Sequence, residues 1–334
     1  MTTVRLTRRW PEAVETRMAG LGQVTFNRND QSLSRDQLAE ALATADVLCP
    51  TVTDRLDADL LGVPGLRTRL IANFGVGYNH IDVDAARRAG VAVTNTPDVL
   101  TEATAEIALT LMLMSARRAA EGERLVRRGA WDGWRPTHML STQVAGKTLG
   151  IVGMGRIGTD LARKAHHGLG MRILYSNRHP VSAALESELA ATGLDLPQLL
   201  QRSDFVSLNC PATPQTRHLI DAAALRLMPS HAHLVNTARG DVIDEDALVD
   251  ALRQGVIAGA GLDVYESEPR LAPGLADLEQ VVLLPHMGSG TLETREAMGF
   301  CALANVEAFI AGRPLPNPVV DRPGDQATDA PNPV

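Results

Sequence analysis

The chain has 334 residues, 45% of them hydrophobic and 21% charged, enough for two domains with cores of ordinary globular composition. A formal net charge of -7 without any basic run excludes the electrostatic footprint of a nucleic-acid or membrane-surface binder. Three widely spaced cysteines, none in a Cys-x-x-Cys pair, exclude a disulfide framework and a structural zinc site and fit a reducing cytoplasm.

Residues 1–9 lead straight into a strand pattern with no apolar leader core. Short strands are predicted over 4–6, 24–26, 47–49, 70–73 and 92–95, with helices between them, among them 35–44 and 83–89. Alternation at this spacing implies βαβ units and a parallel sheet. One long helix is then predicted from Glu102 to about Arg127, apolar on most faces over 107–114, and its apolar stretch 107–116 is about half the length a bilayer needs. From Gly146 the rhythm restarts, with six strands predicted over 148–152, 172–175, 205–208, 233–236, 259–263 and 281–284. Six such strands match a Rossmann sheet. A last helix near 291–311 has no further strand and is read as crossing back to the first domain. The expected fold is therefore α/β, two doubly wound parallel-sheet domains, with a Rossmann domain (101–287) inserted into a discontinuous substrate domain (1–100 and 288–321) and a cleft between them. The Pro- and Asp-rich residues 322–334 read as a disordered tail.

The second set of strands opens on the run Gly153–Gly158, a GxGxxG pattern. It follows a buried-strand pattern and opens a helical one, the setting in which such a pattern binds a dinucleotide. Gly153 allows the tight turn, Gly155 lets backbone N–H groups approach the pyrophosphate, and Gly158 permits close helix–strand packing. The helix N-terminus favours the phosphates electrostatically. About twenty residues on, where an acidic side chain selects NAD by binding the ribose 2′-hydroxyl, the chain reads Ser176, Asn177, Arg178 with no acid. Two hydrogen-bonding side chains and a guanidinium suit a 2′-phosphate, so NADPH is expected, with NADH the weaker alternative.

Three polar residues fall after successive late strands, where α/β folds place their ligand crevice: Arg239, Glu268 and His286. Reduction of a 2-oxo acid needs a cation for the carboxylate and carbonyl, a proton donor for the developing alkoxide, and a hydride source. Arginine meets the first need with a bidentate grip, and histidine meets the second near neutral pH. A glutamate beside the histidine favours the imidazolium and fixes its tautomer.

With these residues in place, the chain resembles the D-isomer-specific 2-hydroxyacid dehydrogenases. The run Gly75–Asp82, the fingerprint, and the motifs at 236–240, 261–265 and 285–289 carry the likeness over about residues 4–320. Within the family it looks most like the NADPH-dependent glyoxylate/hydroxypyruvate reductases. The resemblance implies a flavodoxin-like substrate domain, a homodimer formed through the long helices of the cofactor domain, and the roles given above for Arg239, Glu268 and His286. It also implies substrate contacts from Asn73, Val76, Gly77 and Ser289, the backbone N–H groups of Val76 and Gly77 taking the substrate carboxylate. It implies cofactor contacts from Thr104, Met154, Arg156, Ile157, Cys210, Pro211, Thr216, Thr237, Ala238, Arg239, Asp263, His286 and Gly288, in addition to the glycines and to residues 176–178. Trp131 and Trp134 lie where relatives pack a dimer or reach a neighbour's pocket. The lysine that phosphite-oxidising relatives carry in the 75–79 loop is missing, and residues 137–143 lack the glycine often found there. No metal is expected. A D-lactate or other NADH-linked dehydrogenase, and a non-catalytic dinucleotide sensor, are the alternative readings.

Overall fold

The computed structural model describes residues 1–319, so the tail expected over 322–334 lies outside the described residues. The described residues form two compact units, Met1–Val99 together with 291–319, and Leu100–Gly290.

In the first unit, strands β1 (Thr3–Leu6), β2 (Gln23–Thr25), β3 (Val47–Cys49), β4 (Leu70–Ala72) and β5 (Ala92–Thr94) alternate with helices α1 (Glu12–Ala19), α2 (Arg35–Thr44), α3 (Ala58–Leu61) and α4 (Val83–Arg88). The strands make an all-parallel sheet in the order β2-β1-β3-β4-β5, the doubly wound flavodoxin-like arrangement. Local chemistry sets the helix starts. Ser34 and Gln37 form a reciprocal capping box on α2, and the Asp82 carboxylate accepts the Ala85 N–H on α4. Leu42, Leu48, Leu56, Leu61 and Ile71 fill the core on one side of the sheet.

The second unit begins with α5 (Thr101–Ala116) and α6 (Ala119–Arg127), where one long helix is expected from the sequence. The break falls at Arg118, which is left-handed at φ 53° and binds both carboxylate oxygens of Glu121 at 2.7 and 2.8 Å. Apolar burial ends with Ala116, and α6 has no buried residue, so nothing in the core holds a continuous axis. Strands β6 (Thr148–Val152), β7 (Arg172–Ser176), β8 (Thr192–Gly193), β9 (Phe205–Leu208), β10 (His233–Asn236), β11 (Gly259–Leu262) and β12 (Val281–Leu283) follow, joined by α7 (Arg156–Leu169), α8 (Ala183–Leu189), α9 (Leu196–Arg202), α10 (Ala222–Leu227) and α11 (Glu245–Arg253). All are parallel, in the order β12-β11-β10-β9-β6-β7-β8. This is the Rossmann order with a seventh strand beside the six expected. The additional strand is β8, two residues paired to Leu174 and Tyr175 of β7.

Side chains alternate between two cores. Leu149, Ile151, Phe205 and Val235 pack with α5 and α7, while Val206, Leu208 and Leu234 pack with α9, α10 and α11. Glycine lets α5 lie close on the sheet, since a Cβ on Gly261 would come within 2.9 Å of Leu111 Cβ. The chain then returns to the first unit as α12 (Leu292–Ile310), which packs on α1 and β4, and residues 317–319 hydrogen-bond along β5.

Candidate active site

Three neighbouring parallel strands, β10, β11 and β12, deliver the three expected catalytic residues from their carboxyl ends. His286 Nδ1 and Glu268 Oε2 are 2.8 Å apart, with both side chains about one-third exposed. Glu268 Oε1 accepts the Tyr265 N–H at 3.1 Å. Burial pushes the Glu268 carboxyl up, but its hydrogen bond to His286, the charges of His286 and Arg239, and the Tyr265 N–H together hold it below its ordinary value. Arg239 is half-buried and donates from Nη1 to the Ala238 carbonyl at 2.7 Å. Burial lowers its pKa, opposed by the charges of Glu268 and Asp241. A cation and a His–carboxylate pair thus share one edge of the sheet.

The loops carrying them are fixed by side chains whose roles the sequence did not disclose. Asn236, fully buried, accepts the Ala238 N–H at 3.0 Å and donates to the Arg239 carbonyl at 2.8 Å, shaping the turn after β10. Asp263, after β11, accepts the Met287 and Gly288 N–H groups at 2.8 and 2.7 Å. That clamp holds the loop in which His286 sits at a left-handed φ of 52°. Burial raises the Asp263 pKa, against the two N–H groups and the His286 charge. Gly240 is sterically required: a Cβ there would lie 1.8 Å from the Tyr265 carbonyl carbon and 2.1 Å from the Glu266 nitrogen. The turn bearing Arg239 and the loop bearing Glu268 therefore touch backbone to backbone. Ser289 follows Gly288 in the same loop.

Further along the edge, the three fingerprint glycines do three different jobs. A Cβ on Gly153, where φ is +91°, would strike the backbone of residues 209–210, and one on Gly158 would lie 2.6 Å from the Gly153 oxygen. Gly155 has nothing within 4 Å of its Cβ position. It caps α7, whose first turn, with Arg156 and Ile157, contains no acid. Open space above a helix N-terminus without a competing carboxylate is a cradle for phosphate. Thr237, after β10, has a buried hydroxyl with no partner among the described residues, a group of the kind a bound ligand satisfies. These features fit a dinucleotide.

The other expected cofactor residues divide. Asn177 is exposed, but its Oδ1 accepts the Met154 N–H at 2.6 Å, bracing the glycine loop; Arg178 beside it is exposed. Thr104 on α5 borders Gly288, whose Cβ would approach Thr104 Cγ2 at 3.4 Å. Thr216 folds the 211–216 loop on itself, its hydroxyl donating to the Pro211 carbonyl at 2.7 Å. The Cys210 thiol is buried and pushed up to about 11 by that burial, which makes it packing rather than a nucleophile. Cys210 in the folded protein is accordingly expected to resist iodoacetamide at pH 8 and to react at once after denaturation; rapid labelling of the native protein at Cys210, read by mass spectrometry, would contradict this burial.

In the first unit, Asn73 is buried after β4, and its side chain faces the loop 75–77 itself. The Val76 and Gly77 N–H groups have no acceptor among the described residues. Among the described residues there is also no cluster of three His, Cys, Asp or Glu suited to a metal, and no helix long and apolar enough to cross a membrane.

The family model for the D-isomer specific 2-hydroxyacid dehydrogenase NAD binding domain matches residues 109–288. A glyoxylate reductase of Thermococcus onnurineus is 43% identical over 323 residues, 96% of each chain. One from Aeropyrum pernix is 48% identical over 279 residues, 82% of each. An NADPH-dependent glyoxylate/hydroxypyruvate reductase of Sinorhizobium meliloti, solved with NADP and malonate, superposes with a TM-score of 0.82 at 31% identity, covering 95% of this chain and 96% of that one. By the family model and by full-length relatives alike, the chain belongs to the D-isomer specific 2-hydroxyacid dehydrogenases.

Proposed function

We propose that the protein reduces a small 2-oxo acid, glyoxylate or hydroxypyruvate, to the D-2-hydroxyacid, glycolate or D-glycerate, with NADPH as reductant. The observation that carries this reading is the His286–Glu268 pair beside Arg239, on the sheet edge that also bears the open glycine cradle. The bound coenzyme supplies the hydride that the carbonyl carbon receives. Arg239, which stays protonated despite burial, grips the substrate carboxylate and carbonyl oxygen. With Nδ1 committed to Glu268, His286 gives its proton to the carbonyl oxygen from Nε2 as that oxygen gains charge. Glu268 stabilises the imidazolium before transfer and aims the ring. Val76 and Gly77 are assigned to the carboxylate through their N–H groups, and Ser289 to the substrate. The resemblance to glyoxylate reductases supports the small acids. Initial rates with glyoxylate, hydroxypyruvate, pyruvate and phenylpyruvate test the choice: the first two are expected to lead, and a lead for phenylpyruvate would overturn it.

Coenzyme preference rests on Ser176, Asn177 and Arg178, where no carboxylate stands to repel a 2′-phosphate. Losing one charge-assisted contact costs about 1.5–3 kcal/mol, so Arg178→Ala is expected to raise the KM for NADPH about tenfold or more. The KM for NADH should stay within about twofold on the same reasoning. Equal effects on both coenzymes would remove Arg178 from the phosphate site.

A homodimer through the α5–α6 region is supported by apolar side chains that α6 and the segment after it leave in solvent: Val126 (59% exposed), Trp131 (52%), Trp134 (81%) and Leu140 (68%). Light scattering on the purified protein reads the mass directly, and a monomer at micromolar concentration would contradict it. The three free thiols support a cytoplasmic setting.

A further inference from the structure

We infer that Asn95 and Asn73 are positioning residues that hold the 75–77 loop as an anion-binding nest, by pinning its carbonyl oxygens. The inference deepens the functional reading above and rests on it for the identity of the anion. In a trans peptide the C=O and the following N–H point in opposite directions, so whatever holds a carbonyl also aims the next N–H. Gly75 O accepts from Asn73 Nδ2 at 3.0 Å and from the Thr96 N–H at 3.0 Å, which turns the Val76 N–H away from both. Val76 O accepts from Asn95 Nδ2 at 2.9 Å, which sets the Gly77 N–H. Gly77 O accepts from Asn73 Nδ2 at 3.0 Å and sets the N–H of the next residue in the same way.

Three consecutive carbonyls are thus committed to side chains or backbone of the unit itself. The Val76 and Gly77 N–H groups, which have no acceptor among the described residues, are left for a ligand that can only accept hydrogen bonds. Asn73 is in turn oriented by His80, whose Nε2 lies 3.1 Å from Asn73 Oδ1; a donor there fixes Oδ1 as acceptor and leaves Nδ2 for the loop. A carboxylate is the ligand class this arrangement takes. A side chain with an acceptor in place of Nδ2 would repel the carbonyl it now holds and release the peptide to rotate.

Asparagine to aspartate tests the donor, because the two side chains have the same shape. Asn95→Asp and Asn95→Ala are both expected to raise the KM for glyoxylate at least about tenfold, the loss of roughly one well-placed hydrogen bond, with the KM for NADPH within about twofold. Oxalate, a dicarboxylate that cannot be reduced by hydride, is expected to lose affinity in parallel, measured by its thermal shift in the presence of NADP+. Asn73→Asp should act in the same direction; because Asn73 is buried, the half-exposed Asn95 pair carries the test if that variant fails to fold. A side chain that merely fills space makes Asn95→Asp behave as wild type, and a KM for glyoxylate and an oxalate shift unchanged within twofold would overturn the inference. So would an equal rise in the KM for NADPH. Wild-type protein that turns over no 2-oxo acid would end the functional reading alone, since the oxalate shift still reports on the nest.

Discussion

Replacing His286 by alanine is expected to lower turnover of glyoxylate by about 10²–10⁴-fold, the range a positioned general acid contributes. NADPH affinity should change by less than about twofold, because among the described residues the imidazole hydrogen-bonds to Glu268, and the glycine cradle lies elsewhere on the edge. Glu268→Gln should fall between, since an amide keeps an acceptor but loses the charge that stabilises the imidazolium. The lowered pKa of Glu268 sets the acid edge of the pair's working range. The carboxylate is held below its ordinary value against the opposing effect of burial, and its support for the imidazolium is lost as pH falls through that lowered value. Single-turnover kinetics separates the two effects: a His286→Ala protein that reduces glyoxylate at the wild-type rate removes His286 from the chemistry.

Two glycines on the same edge should fail in opposite ways. Gly240→Ala puts a methyl group 1.8 Å from backbone carbon of Tyr265, and backbone cannot step aside as a flexible side chain can. Overpacking of this kind costs about 3 kcal/mol, or roughly 6–12 °C in the melting transition of a unit this size. What folds should also be slow, because the shift separates Arg239 from the Glu268 loop. Gly155→Ala meets nothing within 4 Å and should melt as the wild type does. Its methyl group instead occupies the cradle, and NADPH affinity is expected to drop by more than about tenfold. Calorimetry alongside coenzyme titration distinguishes them, and a destabilised Gly155→Ala that binds NADPH normally would refute the assignment of that space to the pyrophosphate.

What the sequence disclosed, it disclosed through period and position. Strands such as β6 and β9 are apolar runs ended by a turn, and their boundaries are read to within a residue. Arg239, Glu268 and His286 were legible because each follows such a strand closely, so placing the strands placed the side chains. The break at Arg118 was not legible, because a left-handed arginine in a charged helical run leaves no mark on composition. Neither was β8, too short at two residues to show a period. The roles of Asn73, Asn177 and Asp263 needed the structure for a different reason. Each carries hydrogen-bonding atoms that suit a ligand, and each uses them on backbone from another turn: the 75–77 loop, Met154, and the amides of 287–288. A residue type announces what it can bond to, but the partner comes from the fold. The same holds for Gly240, whose neighbours at 265–266 lie a full βα unit downstream.

The decisive question is whether this sheet edge carries out a coenzyme-linked reduction of a small 2-oxo acid. The direct measurement is the initial rate of reduced-coenzyme oxidation with glyoxylate, made with NADPH and with NADH on the purified protein. The expected result is turnover with a kcat/KM that favours NADPH by at least about tenfold, a difference of roughly 1.4 kcal/mol at the 2′-phosphate. Protein that binds NADPH yet oxidises none of it with glyoxylate, hydroxypyruvate or any larger 2-oxo acid would contradict a reductase and make the molecule a dinucleotide sensor.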